Sequence, residues 1–381
     1  MNQLKLRPYP QPNPAIEKST SRFSLGFEIV TGEDGAKKEI EKFSSVEPLC
    51  PVCEFEYSKE TGSGKFVYIK DANGEIIRRK SKPIPPYIPG EHVRELIRLA
   101  QILKRPVLIK GEPGSGKTQL AKAIAYEWYG DEYKNHFFEW PVKSTSKAID
   151  GLYTFDHIAR LRNANIPKTQ WVNSTVDNTH NEDLTQYRKF GPMGLAFLTS
   201  TPDEPSILLI DEIDKADIDF PNDLLLELDE RRFSIPSSET GEVIEAAYPP
   251  VIFITSNDER ELPEAFLRRC LFLYMKFPSD AQLNEIIKAH LPGFTEKHTG
   301  FLNAAIERFK NLRKEIESDP SDNKRVSTSE LLDWLAAFYY DMAGKKELTI
   351  DVKLPYSQAL LKSQQAVARQ EGIENSLQSG N

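Results

Sequence analysis

Cysteine is scarce in this chain. Three thiols in 381 residues exclude a disulfide-stapled secreted scaffold, and a chain of this length can bury sizeable apolar cores without one. Long apolar runs are missing too: none approaches the roughly 20 residues of a membrane span. The opening stretch, Met1 to Pro14, lacks the apolar core of a secretory leader. Nor is there a surplus of positive charge. With 49 Lys and Arg against 57 Asp and Glu the formal charge is −8, so nothing global attracts a polyanion, which argues against nucleic acid as the partner. These absences lead to the expectation of a cytoplasmic protein of two or three domains with no membrane partner.

The few cysteines include one pair, Cys50-Pro51-Val52-Cys53. Two thiolates make half a tetrahedral zinc site, and no second C-x-x-C follows; His92 and Cys270 have no ligand-like spacing to them. A redox dithiol belongs at the start of a helix, whereas the flanks here are Pro48 and the alternating, strand-like Glu54-Phe55-Glu56-Tyr57. A knuckle-type turn without metal is the favoured reading; metal completed by another subunit and redox chemistry stay open.

What the chain does carry is Gly111-Glu112-Pro113-Gly114-Ser115-Gly116-Lys117-Thr118, directly after the apolar run Val107-Leu108-Ile109. Glycines let the backbone curl so that successive N–H groups face one anion. Lys117 supplies a cation for β- and γ-phosphates, and Thr118 a hydroxyl ligand for Mg²⁺. Leu120, Ile124 and Trp128, with Ala121 and Ala125 beside them, form an apolar helical stripe, so the loop opens a helix whose N-terminal dipole also favours phosphate. A plain glycine turn explains neither the strand before nor the helix after. The nucleotide-binding set runs from Gly111 to Gln119.

A second signature follows. Ile207-Leu208-Leu209-Ile210 ends in Asp211-Glu212 and reads as a buried parallel strand delivering two carboxylates at its C-terminal end, where α/β sheets bind ligands. Asp211 can hold Mg²⁺ through water, and Glu212 is placed to orient or deprotonate the water that attacks the γ-phosphorus. The run Val251 to Ser256 ends in Asn257, whose amide could bond that phosphate or water without adding charge. Arg268 and Arg269 follow at Leu262-Pro263-Glu264-Ala265-Phe266-Leu267-Arg268-Arg269-Cys270; on the rim of such a module they could reach a neighbouring subunit's γ-phosphate.

Strand-like runs at 107–110, 137–142, 207–211, 251–256 and 271–277, separated by helical sequence, predict a parallel sheet covered on both faces. The interval from Lys117 to Asp211 exceeds a plain crossover, so residues 155–200 hold an insertion with a mobile polar loop at Asn173 to Asp183. Glu91 to Leu103 has helical periodicity, with Val93, Leu96, Ile97, Ala100 and Leu103 on one side. Two hairpins are expected: Lys65–Ile69 with Glu75–Ile77 through Asn73-Gly74, and 233–235 with 243–245 around Thr240-Gly241. Residues 78–82 are basic and 83–89 Pro-rich, which reads as a solvated linker. The division expected is an N-terminal extension and linker over 1–85, an α/β nucleotide-binding core over 86–278, helical sequence over 279–345, and a frayed tail over 346–381.

GEPGSGKT at 111–118, ILLIDEID at 207–214, ITSNDERELPEAFLRRC at 254–270 and STSELLDWL at 327–335 resemble the AAA+ ATPases and, within them, the MoxR-type branch, over about 89–343. The resemblance implies an α/β P-loop core with five parallel strands in the order 5-1-4-3-2, a small α-helical lid, and a homo-oligomeric ring, usually of six subunits. It implies ATP and Mg²⁺ as cofactors, with Thr118 and Asp211 at the metal. Lys117, Glu212, Asn257 as first sensor and Arg269 as finger, with Arg268 as its substitute, are the implied catalytic set. The 233–245 hairpin resembles the pre-sensor-1 insert and part of 155–200 the helix-2 insert, elements that line or cap the central pore. MoxR proteins commonly carry an arginine in the lid motif where this chain has Ser329, and Arg325 lies one helical turn earlier. Members act as chaperones on protein clients such as those with von Willebrand factor A domains. Two rivals are kept, a nucleic-acid motor or loader and a slowly hydrolysing nucleotide switch.

Overall fold

The computed structural model describes residues 25–31, 37–43, 47–58, 60–87, 91–164, 184–236, 238–291, 298–318, 326–341 and 354–378. Five strands form the central sheet: β1 (Val107–Gly111), β2 (Phe137–Pro141), β3 (Ile207–Asp211), β4 (Val251–Ser256) and β5 (Leu271–Met275). All neighbours are parallel and the order is β5-β1-β4-β3-β2, as expected. Consecutive residues of β1 point to opposite faces, yet Val107, Leu108 and Ile109 are all buried, because apolar layers cover both sides of a parallel sheet. Helices α1 (Glu91–Leu103) and α2 (Lys117–Tyr129) cover the face of Val107 and Ile109. There Val93, Ile97, Ala100, Leu120 and Ile124 join Leu209 and Phe253 in one cluster. Leu103, assigned to the inward side of α1, is 47 % exposed; the inward stripe stops at Ala100. Leu108, Phe138, Trp140 and Leu208 face the other way, against α3 (Pro192–Thr199) and the hairpin that follows β3.

The excursion between β2 and β3 is built on a strand pair, Tyr153–Phe155 antiparallel to Arg188–Phe190; the loop expected at 173–183 lies outside the described residues. The second expected hairpin is present as Arg232–Ser234 paired with Val243–Glu245. The first is altered. Its tight turn forms, with Gly74 at φ 86° and Ile77 N–H donating to Ile69 O, but Ser63–Tyr68 takes Cys53–Ser58 as its main partner.

Two expectations before residue 86 need correction. Arg78–Lys80 is a strand paired with Leu49–Pro51 rather than a solvated linker. Nor does residue 47–87 stand apart: Cys50 and Ile84 are buried in the α1/α2 layer, while Phe55, Tyr57 and Phe66 pack against the opposite layer, with Phe66 stacked on Phe138 of β2. The alternating aromatics supply an apolar face, and that face is buried against the core. Cys50 and Cys53 are free, and burial pushes both thiols up, away from the thiolate that redox chemistry needs. Among the described residues no group of three or more His, Cys, Asp or Glu could hold a metal. No helix among them is long and apolar enough to cross a membrane.

Helices α4 (Asp280–His290), α5 (Thr299–Glu317) and α6 (Thr328–Asp341) close around a separate core of Leu283, Ile287, Phe309, Leu331, Trp334 and Phe338. The frayed tail is also corrected. Residues Ser357–Leu360 and Gln364–Gln378 are helical, and Leu354, Leu360, Leu361 and Ala366 belong to this same core. Trp334 Nε1 donates to Pro355 O at 2.7 Å. A handful of apolar residues in polar surroundings suffices, because they meet a surface already formed by α6.

Candidate nucleotide site

The loop between β1 and α2 takes three left-handed glycines, Gly111 at φ 150°, Gly114 at 74° and Gly116 at 88°. At Gly111 and Gly114 a side chain would also have no room: a Cβ on Gly111 would lie 2.6 Å from Met275 O and one on Gly114 2.5 Å from Ser327 Oγ, while one on Gly116 would press on the Tyr87 ring at 3.1 Å. Lys117 opens α2 and is buried; its Nζ donates to Gly111 O at 2.7 Å and Glu112 O at 2.8 Å. Burial lowers its pKa, opposed by Asp214, Asp211, Asp258 and Glu212. Ser115 Oγ and Gln119 Oε1 are buried without a hydrogen-bond partner. Pro113 is exposed at the crest of the loop. Orphaned polar atoms, a lysine turned onto loop carbonyls and a helix N-terminus suit a bound phosphate chain.

Beside the loop, Thr118 Oγ1 donates to Asp211 Oδ1 at 2.9 Å. The same oxygen receives Thr255 Oγ1 at 2.7 Å. A hydroxyl and a carboxylate in contact make the all-oxygen donor pair that a hard cation such as Mg²⁺ takes, so the residues fit that ion.

Glu212 sits just past β3 in a left-handed conformation, φ 60° and ψ 53°, which a non-glycine residue adopts at a cost. Its N–H donates to Thr255 Oγ1 at 2.8 Å, which holds the bend. Its carboxylate, half-buried, receives Asn257 Nδ2 at 3.1 Å on Oε1 and pairs with Lys215 through Oε2. Asp214 is buried; its Oδ2 accepts Ser256 Oγ at 3.0 Å, Asn257 N–H at 2.9 Å and Glu259 N–H at 2.9 Å. That grip fixes the turn presenting Asn257. The ends of β3 and β4 thus bring Asp211, Glu212 and Asn257 together beside the loop.

Arg269 does not join them. Its Nε donates to Asp229 Oδ2 at 2.5 Å and one guanidinium nitrogen to Ala265 O at 2.9 Å; Arg268 pairs with Glu264. Arg325 lies outside the described residues, whereas Ser329 Oγ donates to Gly114 O at 3.3 Å. Sequence reasoning missed Thr255, Asp214 and Lys215 as organisers. Asp214 lies in the ILLIDEID run, and Thr255 precedes the two residues at the end of β4 that Asp214 grips; their nearness to Asp211 and Asn257 is the signal that was there.

Residues 106–270 match the family described as AAA domain (dynein-related subfamily). Among solved structures, one described as "a putative ATPase from Cytophaga hutchinsonii" is similar at 14% identity with a TM-score of 0.33, over 64% of this chain and 56% of that one. The chain spans a little over half of that protein's length. No curated protein matches the chain. Strands β1 to β4, the glycine loop and the carboxylates at the end of β3 all fall within 106–270, the part of the chain that this family model matches.

Proposed function

We propose that the chain is an Mg²⁺-dependent ATPase of the MoxR-type branch, working as a ring of identical subunits that remodels or activates a protein partner. The observation that carries this reading is one cluster: Lys117 on the loop, Thr118 against Asp211, and Glu212 gripped by Asn257. Loop N–H groups and Lys117 hold the triphosphate. Thr118 and Asp211 would hold Mg²⁺, which when bound would supply charge neutralisation at the phosphate oxygens. Glu212 takes the proton of the attacking water, and Asn257 fixes the direction of the carboxylate that does so. Thr255 keeps Asp211 and the Glu212 backbone in step.

Arg269 serves the neighbouring subunit. Its own-chain partners, Asp229 and Ala265, lie outside the cluster, and exchanging an exposed Asp229 for phosphate costs little because surface ion pairs contribute little. The MoxR resemblance supplies the client class, proteins with von Willebrand factor A domains. The basic stretch near residue 80 gives a nucleic-acid motor little support, since Arg78 and Lys80 are engaged by Glu132 and Glu47.

Mixing variants tests the shared site. Arg269→Ala and Glu212→Gln are expected to hydrolyse ATP poorly alone and to recover activity when mixed, with a rise in oligomeric mass on adding slowly hydrolysed ATP. Full hydrolysis by Arg269→Ala at every concentration would remove the shared site. Stimulation of the parent by DNA or RNA, and not by protein partners, would overturn the remodelling assignment.

A further inference from the structure

Arg313 is on lid helix α5, 201 residues along the chain from Glu112, yet its guanidinium reaches the phosphate loop. The side chain is buried. One terminal nitrogen donates to Glu112 Oε2 at 2.5 Å and lies 3.1 Å from Glu317 Oε1. The other donates to Val326 O at 2.5 Å. The guanidinium carbon stands 4.0 Å from the centre of the Phe277 ring, in the connection from β5 to the lid. One residue therefore touches the loop, the lid's entry and the approach to α6.

Those contacts converge on the residues that face phosphate. Val326 precedes Ser327 and Ser329, which press on Gly114. Glu112 has two roles: its carbonyl accepts Lys117 Nζ and its carboxylate accepts Arg313. A shift of the loop as Lys117 leaves the carbonyls for a phosphate is thus passed to Arg313 through Glu112, and to α6 through Gly114. Lysine could not reproduce the arrangement, because a guanidinium fork engages carboxylate and carbonyl in one plane and an ammonium does not.

We propose that Arg313 is a positioning residue that couples lid closure to occupancy of the phosphate loop, acting through Glu112 and Val326. The nucleotide in this coupling rests on the ATPase reading; the contact itself does not. Two elements locked by one link share one equilibrium, and such coupling typically changes affinity several-fold to about a hundredfold.

The test uses the full chain, with Arg313→Lys, Glu112→Gln and the double variant. Binding of slowly hydrolysed ATP is measured together with the distance between spin labels at Glu285 in the lid and Asp131 in the core. Each single change is expected to weaken binding about tenfold, and the double change no further than the worse single, because both break one link. The KM for ATP should rise by a similar factor while kcat changes less than about threefold. Without nucleotide, the distance distribution should broaden in all three variants. Additive losses, or unchanged affinity with only a lower melting temperature, overturn the coupling. If the parent binds no nucleotide, the ATPase reading falls and the distances alone decide the link: unbroadened distributions in the variants would overturn it. Should Arg313→Lys fail to fold, Glu112→Gln carries the same outcomes.

Discussion

Two charged clusters in this molecule are satisfied by opposite means. At the ends of β3 and β4, Asp211 and Asp214 receive hydroxyl and backbone N–H donors, which stabilise a carboxylate without cancelling its charge. Around Arg188 the charge is cancelled. That side chain, 2 % exposed, pairs with Glu242, donates to Thr240 and lies over the rings of Tyr57 and Phe190, while Tyr57 OH donates to Glu242 at 3.2 Å. The first arrangement leaves negative charge available to a cation and its substrate. The second locks together three segments distant in sequence and pairs off the charge, although Arg188 Nε and Glu242 Oε1 stay buried without a hydrogen-bond partner.

The largest effect expected falls on the first cluster. Lys117→Ala should weaken nucleotide binding about a hundredfold, whereas Glu212→Gln should bind ATP and hydrolyse it about 10²–10⁴-fold more slowly. Equal turnover by Glu212→Gln and the parent would take Glu212 out of the mechanism. In the second cluster the loss should appear in stability. Arg188→Ala leaves Glu242 buried without its cation and should cost about 3–5 kcal/mol in urea unfolding, with part recovered on adding Glu242→Gln; a change below about 1 kcal/mol would show that the pair is replaceable.

The smallest effect concerns two histidines outside both clusters. Burial lowers the pKa of His136, opposed by Glu204 and Glu132, and that of His290, whose Nδ1 lies 2.8 Å from Ile286 O. A depressed folded pKa means that the unfolded chain binds protons first. The associated stability is therefore whole above the unfolded value near 6.5 and declines as pH falls below it, by at most about 1.4 kcal/mol per pH unit for each residue. Denaturation midpoints from pH 7.5 to 5.5 should show this slope, and His290→Gln should reduce it. A flat profile would rule out burial of the neutral rings as its source.

The parallel strands, and the meeting of Asp211, Glu212 and Asn257 at their ends, were legible in the sequence for a local reason, whereas the strand order came only with the family resemblance. β1, β3 and β4 are built on short apolar runs, and each leads directly into the residues that the fold presents, Gly111, Asp211 with Glu212, and Asn257. Contacts between remote segments left no such mark. Tyr57, Arg188 and Glu242 show no common periodicity, and neither do Glu112 and Arg313. The segment over 47–87 and the helices after residue 354 were misjudged because each buries only a few apolar residues, and does so on a surface that other segments build.

The layer beneath α1 and α2 has a practical consequence for anyone trimming this protein. Cys50, Ile84, Val93, Ile97 and Ala100 fill it from positions ahead of residue 106, where the family match begins. A fragment cut at that boundary would keep α2 but lose α1, Cys50 and Ile84, leaving part of one sheet face open to water, so homology alone marks the wrong place for the scissors.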